Sequence, residues 1–148
     1  MNYFDLIGII SRYATEKGYY FLSGDNFYQN YEASKESFDK EQLILSADFN
    51  AVPIFNIGSK INQVNYTGAL AIGRKFDSNG TPANLDETFL QKYTTRLLEL
   101  STILATIISE ICCQNELQAT GVAFNLELNK FDENIDFVGA QITFIQYS

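Results

Sequence analysis

The chain has 148 residues, of which 46% are hydrophobic and 14% aromatic, and its formal net charge is -8 at pH 7. This composition predicts a single folded domain and argues against a disordered chain, which carries far fewer apolar residues. The acidity argues against a surface that wraps nucleic acid, because that mode requires clustered lysine and arginine. The chain contains no histidine, the side chain that most often acts as a general base or a metal ligand.

The first predicted elements are a short amphipathic helix and a strand. Apolar residues recur at helical spacing from Tyr3 to Ala14, and Lys17-Gly18 supplies a basic last turn followed by a left-handed stop. Residues 19–22 predict a strand that ends in the turn-forming residues 23–26. The start of the chain lacks the basic segment of an export signal, so we predict an intracellular protein.

The segment from Asn26 to Lys40 is polar and acidic, and its aromatic residues follow neither a helical nor a strand period. We predict a long loop or arm, because loops of this length in compact domains usually carry a function or move. Phe27, Tyr28 and Tyr31 either cover the edge of the core or contact another molecule. The sequence leaves both interpretations open.

The middle of the chain predicts three strands. Residues 42–49 are rich in branched side chains, and residues 52–55 follow after a short break, with Pro53 favouring a strand end or a sheet edge. From Val64 to Phe76, large apolar residues alternate with small or polar ones. This alternation predicts a strand with one buried face.

Two features of this third strand bear on its surroundings. Gly68 and Gly73 interrupt the pattern and indicate a bulge or a close approach of another backbone. The second face of the strand carries the small residues Thr67, Ala69 and Ala71. Either solvent or another subunit could cover these residues, and we favour a subunit.

A long helix and a hairpin follow. Apolar residues between Leu90 and Ile111 recur at alternating steps of three and four, so we predict one helix from Leu85 to Cys113. Residues 116–129 and 134–147 alternate as strands do and predict an antiparallel hairpin. The succession predicts an α+β domain, in which a short N-terminal helix and one long helix pack on one face of a mostly antiparallel sheet. The apolar faces of the hairpin are Val122, Phe124, Leu126 and Leu128 on one strand and Val138, Ala140, Ile142 and Phe144 on the other.

No recognisable catalytic or metal-binding pattern stands out in the sequence. Cys112 and Cys113 are adjacent and have no other cysteine to pair with, so we predict reduced core cysteines at the end of the helix. The acidic groups lack calcium-loop spacing, and serine or cysteine catalysis without histidine requires rarer lysine or carboxylate partners. We therefore predict no enzyme, no catalytic residue, no metal and no cofactor, while a small hydrolase of unfamiliar type stays open.

The order of elements resembles that of the small ring-forming proteins of tailed-phage necks and tails. These include tail-terminator, or tail-completion, proteins and the ring proteins below the portal of some short-tailed gut phages. The resemblance rests on the opening helix at 2–7, the strand pair around Leu43 and Ile54, the helix from Leu85 to Cys113 and the ending 135–144. It implies a non-enzymatic homo-oligomeric ring whose acidic lumen lets DNA pass.

For this chain the resemblance implies a virion structural protein that joins the head to the tail or terminates the tail. Its partners would be copies of itself and neighbouring portal, neck or tail proteins, with no membrane and no reading of the DNA sequence. It would be located in the virion, and in the host cytoplasm during assembly. The alternative is a non-enzymatic adaptor of a bacterial cell that holds a partner with the arm from 26 to 40. We predict that the arm and the end of the third strand contact a neighbouring copy through Phe27, Tyr28, Tyr31, Arg74, Lys75 and Phe76.

Overall fold

The computed structural model of the chain describes residues 6–24, 42–55, 61–75, 97–130 and 135–147. Within these ranges the chain forms two helices and a five-stranded, mostly antiparallel sheet, which confirms the predicted α+β class. The predicted arm from 26 to 40 lies outside the described residues. The elements in chain order are α1 (Leu6–Lys17), β1 (Tyr20–Ser23), β2 (Leu43–Phe55), β3 (Ile61–Lys75), α2 (Leu97–Asn115), β4 (Gln118–Lys130) and β5 (Ile135–Tyr147).

The described strands lie in the order β1-β2-β3-β5-β4, with a parallel β1/β2 pair and antiparallel pairs elsewhere. β1 pairs with β2 only from Ile44 to Ala47. The later part of β2 therefore has no partner on that side among the described residues. Pro53 lies in this part, within β2, at a position where β1 does not pair with it.

The predicted break between residues 49 and 52 is wrong. β2 continues to Phe55, and β3 pairs with it through this region, where Ala51 lies opposite Tyr66 and Val52 opposite Asn65. Asn50 and Ala51 have weak strand propensity. The hydrogen-bonded partner strand compensates for that weakness, so one long strand replaces the two short ones that were predicted.

Both helices lie on one face of the sheet and form the main core with it. Leu45, Leu70 and Val138 belong to β2, β3 and β5 on this helix-covered face, and each is fully buried. Ile10 of α1 and Leu104 of α2 are in the same cluster and are equally inaccessible. Burial of one such aliphatic side chain stabilises the fold by about 1.5–3 kcal/mol.

The longer helix confirms the predicted apolar stripe within its described length. α2 has 19 residues, and Leu100, Leu104, Ile107 and Ile111 are buried in the core. Steps of three and four keep these positions on one side of the helix. The predicted first part of the helix, residues 85–96, lies outside the described residues.

A smaller cluster lies on the second face of the sheet, opposite the helices. It contains Leu22, Ile44, Ala71 and Phe137, all of them buried. Phe137 pairs with Gly73 across the strands, and a Cβ atom at Gly73 would lie 2.7 Å from the Phe137 ring. Glycine at this position therefore allows the ring to pack against the backbone of β3.

Gly68 permits a closer contact between two backbones. A Cβ atom at Gly68 would lie 2.0 Å from the carbonyl oxygen of Asp48 in β2. No side chain fits in this space without movement of the backbone. Gly68 thus confirms the predicted close approach of another backbone, whereas at Gly73 the close neighbour is the side chain of Phe137.

β4 carries a bulge that the sequence did not predict. The register with β5 shifts between Thr120 and Ala123, and Gly121 has a φ of 65°, in the left-handed region that favours glycine. Val122 and Phe124 follow and are exposed. The edge strand therefore begins with apolar side chains that the core does not cover.

Candidate interaction surfaces

The second face of the sheet is uncovered over the half that runs from Asp48 to Ile54 of β2. The register places Asn50, Thr67 and Thr143 side by side in one row across three strands. The neighbouring rows on this face are built in the same way, from residues paired across the strands. Every side chain of these rows is exposed or half-exposed. We name this set the open face: Asp48, Asn50, Val52, Ile54, Gln63, Asn65, Thr67, Ala69, Gln118, Thr120, Ala123, Gln141, Thr143, Ile145 and Tyr147.

Charge is nearly absent from the open face. Asp48 is its one charged residue, although the whole chain contains 18 acidic and 10 basic residues. A sheet face that meets only water usually carries polar and charged side chains. Depletion of charge is instead typical of the centre of protein interfaces. The composition of the open face therefore favours contact with another molecule.

Several polar groups of the open face already bind one another. The Thr67 and Thr143 hydroxyl oxygens are 3.3 Å apart in a hydrogen bond between β3 and β5. The Gln63 amide donates to Asn65 Oδ1 at 2.9 Å. Val52, which lies opposite Asn65 on the neighbouring strand, is 51% exposed. Covering this face therefore buries apolar surface while fewer polar groups lose a bond to water.

The side of α2 that points away from the sheet is also uncharged. It lies opposite the buried stripe, because 3.6 residues complete each turn. The Thr102 hydroxyl donates to the Leu98 carbonyl at 2.8 Å, and the Thr106 hydroxyl donates to the Thr102 carbonyl at 3.0 Å. These donors need no partner from outside the helix. We name this exposed set the outer face of α2: Leu98, Thr102, Ala105, Thr106, Ser109 and Cys113.

A shallow groove of about 520 Å³ runs along this part of α2. Its described lining combines residues of the outer face with Ser101 and Glu110. The Glu110 carboxylate accepts a hydrogen bond from Tyr13 and faces Lys17, and the threonine hydroxyls donate to the helix backbone. These polar groups of the described lining therefore already have partners within the domain.

Tyr13, Lys17 and Glu110 connect the two helices. The Tyr13 hydroxyl donates a hydrogen bond to Glu110 Oε2, and Lys17 Nζ lies 3.4 Å from the same oxygen. Burial, and then the bond to Glu110, raises the pKa of Tyr13 above its ordinary value. The hydrogen bond from Tyr13, with help from Lys17, lowers the pKa of Glu110. Both shifts favour a neutral tyrosine bound to an ionised carboxylate, which is a structural tie rather than an acid–base pair.

Arg74, one of the predicted contact residues, lies on the helix-covered face. Its Nη1 is 2.6 Å from Glu99 Oε1, which joins the end of β3 to the first turn of α2. The buried Nε of Arg74 has no hydrogen-bond acceptor among the described residues. Lys75 ends β3 opposite Ile135, and its side chain is outside the description. Phe27, Tyr28, Tyr31 and Phe76 lie outside the described residues, so their predicted contact stays a prediction.

The two cysteines have different environments. Cys112 packs partly against the core, and burial raises the pKa of its thiol. Cys113 is exposed, so the prediction of a core residue is wrong for it. The reason is helical geometry, because the next residue along a helix points about 100° away. Among the described residues, no group of three or more histidine, cysteine, aspartate or glutamate side chains could hold a metal ion.

Sequence reasoning found part of the open face and missed the outer face of α2. Thr67 and Ala69 were predicted to lie on a second face that another subunit covers, and the register places them on the open face. Ala71 belongs to the buried cluster instead. The missed signal was the absence of charge from Leu98, Thr102, Ala105, Thr106, Ser109 and Cys113, which lie opposite the buried stripe of α2, where amphipathic helices normally carry charge.

Comparison with known proteins adds no relative. No protein-family model matches this chain, and no curated protein matches it. In the part of the chain that the structure describes, no helix is both long and apolar enough to cross a membrane.

Proposed function

We propose that the chain is a structural subunit of a phage virion, which assembles into a homo-oligomeric ring at the neck or tail. The observation that carries the proposal is the open face, whose one charged residue is Asp48, on a domain that is acidic as a whole. The order of elements, which resembles that of neck and tail ring proteins, supports the same function. The ring would join the head to the tail or terminate the tail.

Charge divides the surface of the subunit between two roles in such a ring. Glu16, Glu99 and Glu116 are exposed and lie outside the open face. Negative charge suits a lumen, because DNA then passes without binding to the wall. An uncharged surface suits the junction between copies of an acidic chain, because the copies meet there with least repulsion. The open face therefore belongs to a contact and not to the lumen.

The decisive experiment measures the solution mass of the purified protein by light scattering over a wide range of concentration. Electron microscopy of any large species follows, together with binding to purified portal and tail assemblies. We expect closed rings that bind one of these assemblies. A stable monomer at high concentration that also fails to bind portal or tail assemblies would contradict the proposal.

A further inference from the structure

We propose that the open face of one copy packs against the outer face of α2 of the next copy. This inference rests on the proposed ring and names its junction. The two surfaces lie on opposite sides of the two-layered domain, because α2 covers one face of the sheet and the open face is the other. Each subunit thus offers one surface to the copy before it and one to the copy after it.

The chemistry of the two surfaces agrees with this pairing. Apart from Asp48, neither surface contains a charged residue. Threonine hydroxyls of the outer face donate to the helix backbone, and polar groups of the open face bind each other. The polar groups bound in this way lose little hydrogen bonding when water leaves the two surfaces. In a chain with a net charge of -8, contact elsewhere would bring like charges together.

The shapes of the surfaces also agree. Tyr147 and Val52 on the open face are 53% and 51% exposed. The groove of about 520 Å³ along α2 has small side chains such as Ala105 on its described lining, together with Glu110, whose carboxylate binds Tyr13 and faces Lys17. The large exposed side chains of the open face would therefore lie against small side chains on the outer face of α2. Such a contact adds a helical layer to the uncovered face of the sheet.

The area of the open face is small for a single contact between two proteins. It spans four of the five strands, which lie about 4.8 Å apart, and six residue steps of about 3.4 Å. Its flat area is thus on the order of 400 Å², roughly half of the 800 Å² per partner that a stable complex buries. A single junction should be weak and reversible. A closed ring gains stability because every subunit makes two junctions.

The first variants place a charge at the junction. Thr67→Glu alters the open face and Thr102→Glu alters the outer face of α2. Thr15→Glu is the matched control, because Thr15 is exposed on α1 and its hydroxyl donates to the Ser11 carbonyl as Thr102 donates to Leu98. We expect each junction variant to weaken self-association at least about tenfold, since an unpaired charge would be buried. The control should assemble as the original chain does.

Mixing the two junction variants distinguishes head-to-tail packing from other arrangements. Each variant alone lacks one of the two surfaces and should be monomeric. A mixture restores one intact junction, between the outer face of the Thr67→Glu chain and the open face of the Thr102→Glu chain. Because one junction alone is weak, light scattering of the mixture at high concentration should therefore show dimers in equilibrium with monomers and nothing larger. Assembly by Thr102→Glu alone, with none by Thr67→Glu, would show that two open faces pack together, which overturns the inference.

Folding and function are checked separately. Gln141→Glu and Asn50→Asp add a charge to the open face almost without a change of shape, and circular dichroism verifies the fold of every variant. If these variants and Thr67→Glu all form rings, the inference is wrong while the proposed ring function stands. If the original chain stays monomeric at every concentration, the inference is wrong as well, and binding to virion assemblies then decides the proposed function.

Discussion

The same strands present two faces with opposite properties. On the helix-covered face, Leu45, Leu70 and Val138 are aliphatic and fully buried. The open face of these strands carries residues such as Thr67 and Gln141, which are exposed. Neighbouring residues of a strand point to opposite faces. One set of residues therefore holds the subunit together, and the other set remains for contacts with other molecules.

Stability and assembly should therefore depend on different residues of one sheet. A substitution on the helix-covered face should change the free energy of unfolding of the monomer. A substitution on the open face should leave that free energy nearly unchanged. Measurements of the free energy of unfolding at a concentration where the protein is monomeric can confirm or contradict this difference between the two faces.

The largest effect is expected for Leu70→Ala. Leu70 is fully buried between the sheet and the helices, and its truncation removes apolar contacts and leaves a cavity. We expect the free energy of unfolding to fall by about 2–5 kcal/mol. Denaturant titration followed by circular dichroism measures the change. A loss below about 1 kcal/mol would mean that the helices do not pack closely on β3.

Gly68→Ala should follow, with Gly139→Ala as its matched control on the neighbouring strand. The new methyl group at position 68 would meet the Asp48 carbonyl oxygen at 2.0 Å, so the backbone must move at a cost of about 1–3 kcal/mol or more. At position 139 the nearest contact is the Ala71 Cβ at 3.8 Å. That variant should change stability by less than about 1 kcal/mol. Equal losses in the two variants would refute the close approach of β2 and β3.

The predictable part of the fold is the part whose pattern has one physical cause. Val64, Leu70 and Ile72 alternate with small residues because two helices cover one face of β3. The apolar stripe on α2 has the corresponding cause, because that side of the helix packs on the sheet. The continuity of β2 could not be seen, because residues 50 and 51 are weak strand formers whose partner strand lies elsewhere in the sequence. The bulge at Gly121 likewise depends on register with β5.

The candidate surfaces were harder to predict than the core. Alternation placed Thr67 on a second face, but it could not show that β2 and β5 extend the same uncharged surface. Periodicity in α2 identifies the buried side. It does not show which of the exposed positions carry charge. The hydrogen bonds of Thr102 and Thr106 to the helix backbone are properties of the folded chain alone.

A smaller effect is expected from the contact between α1 and α2. Because the pKa of Glu110 is lowered in the folded chain, its contribution to stability is present above the ordinary glutamate pKa of about 4.3 and is lost as pH falls through the lowered value. Tyr13→Phe removes the hydrogen bond that is the largest cause of this shift. Denaturant titrations at several acidic pH values should therefore show a shallower loss of stability in Tyr13→Phe than in the original chain.

The control for this prediction is Glu110→Gln, in which the titrating group itself is absent. Its loss of stability with acid should be as shallow as that of Tyr13→Phe, or shallower. At high pH the raised pKa of Tyr13 acts in the opposite sense. The contribution of Tyr13 to stability is complete below its ordinary pKa of about 10 and is lost as pH rises from there through the raised pKa of the folded chain. Identical acid profiles in the original chain and in Tyr13→Phe would show that the contact does not stabilise the carboxylate.

The smallest effect is expected on the open face itself, for Thr67→Val and Thr143→Val. Each variant keeps a branched side chain of strand propensity and removes one member of an exposed hydrogen bond. The free energy of unfolding of the monomer should change by less than about 0.5 kcal/mol, measured under the same conditions as for Leu70→Ala. A loss above about 1.5 kcal/mol in either variant would mean that this face is already covered within the subunit. The two faces of the sheet would then both serve folding, and no uncharged surface would remain free for a neighbouring copy.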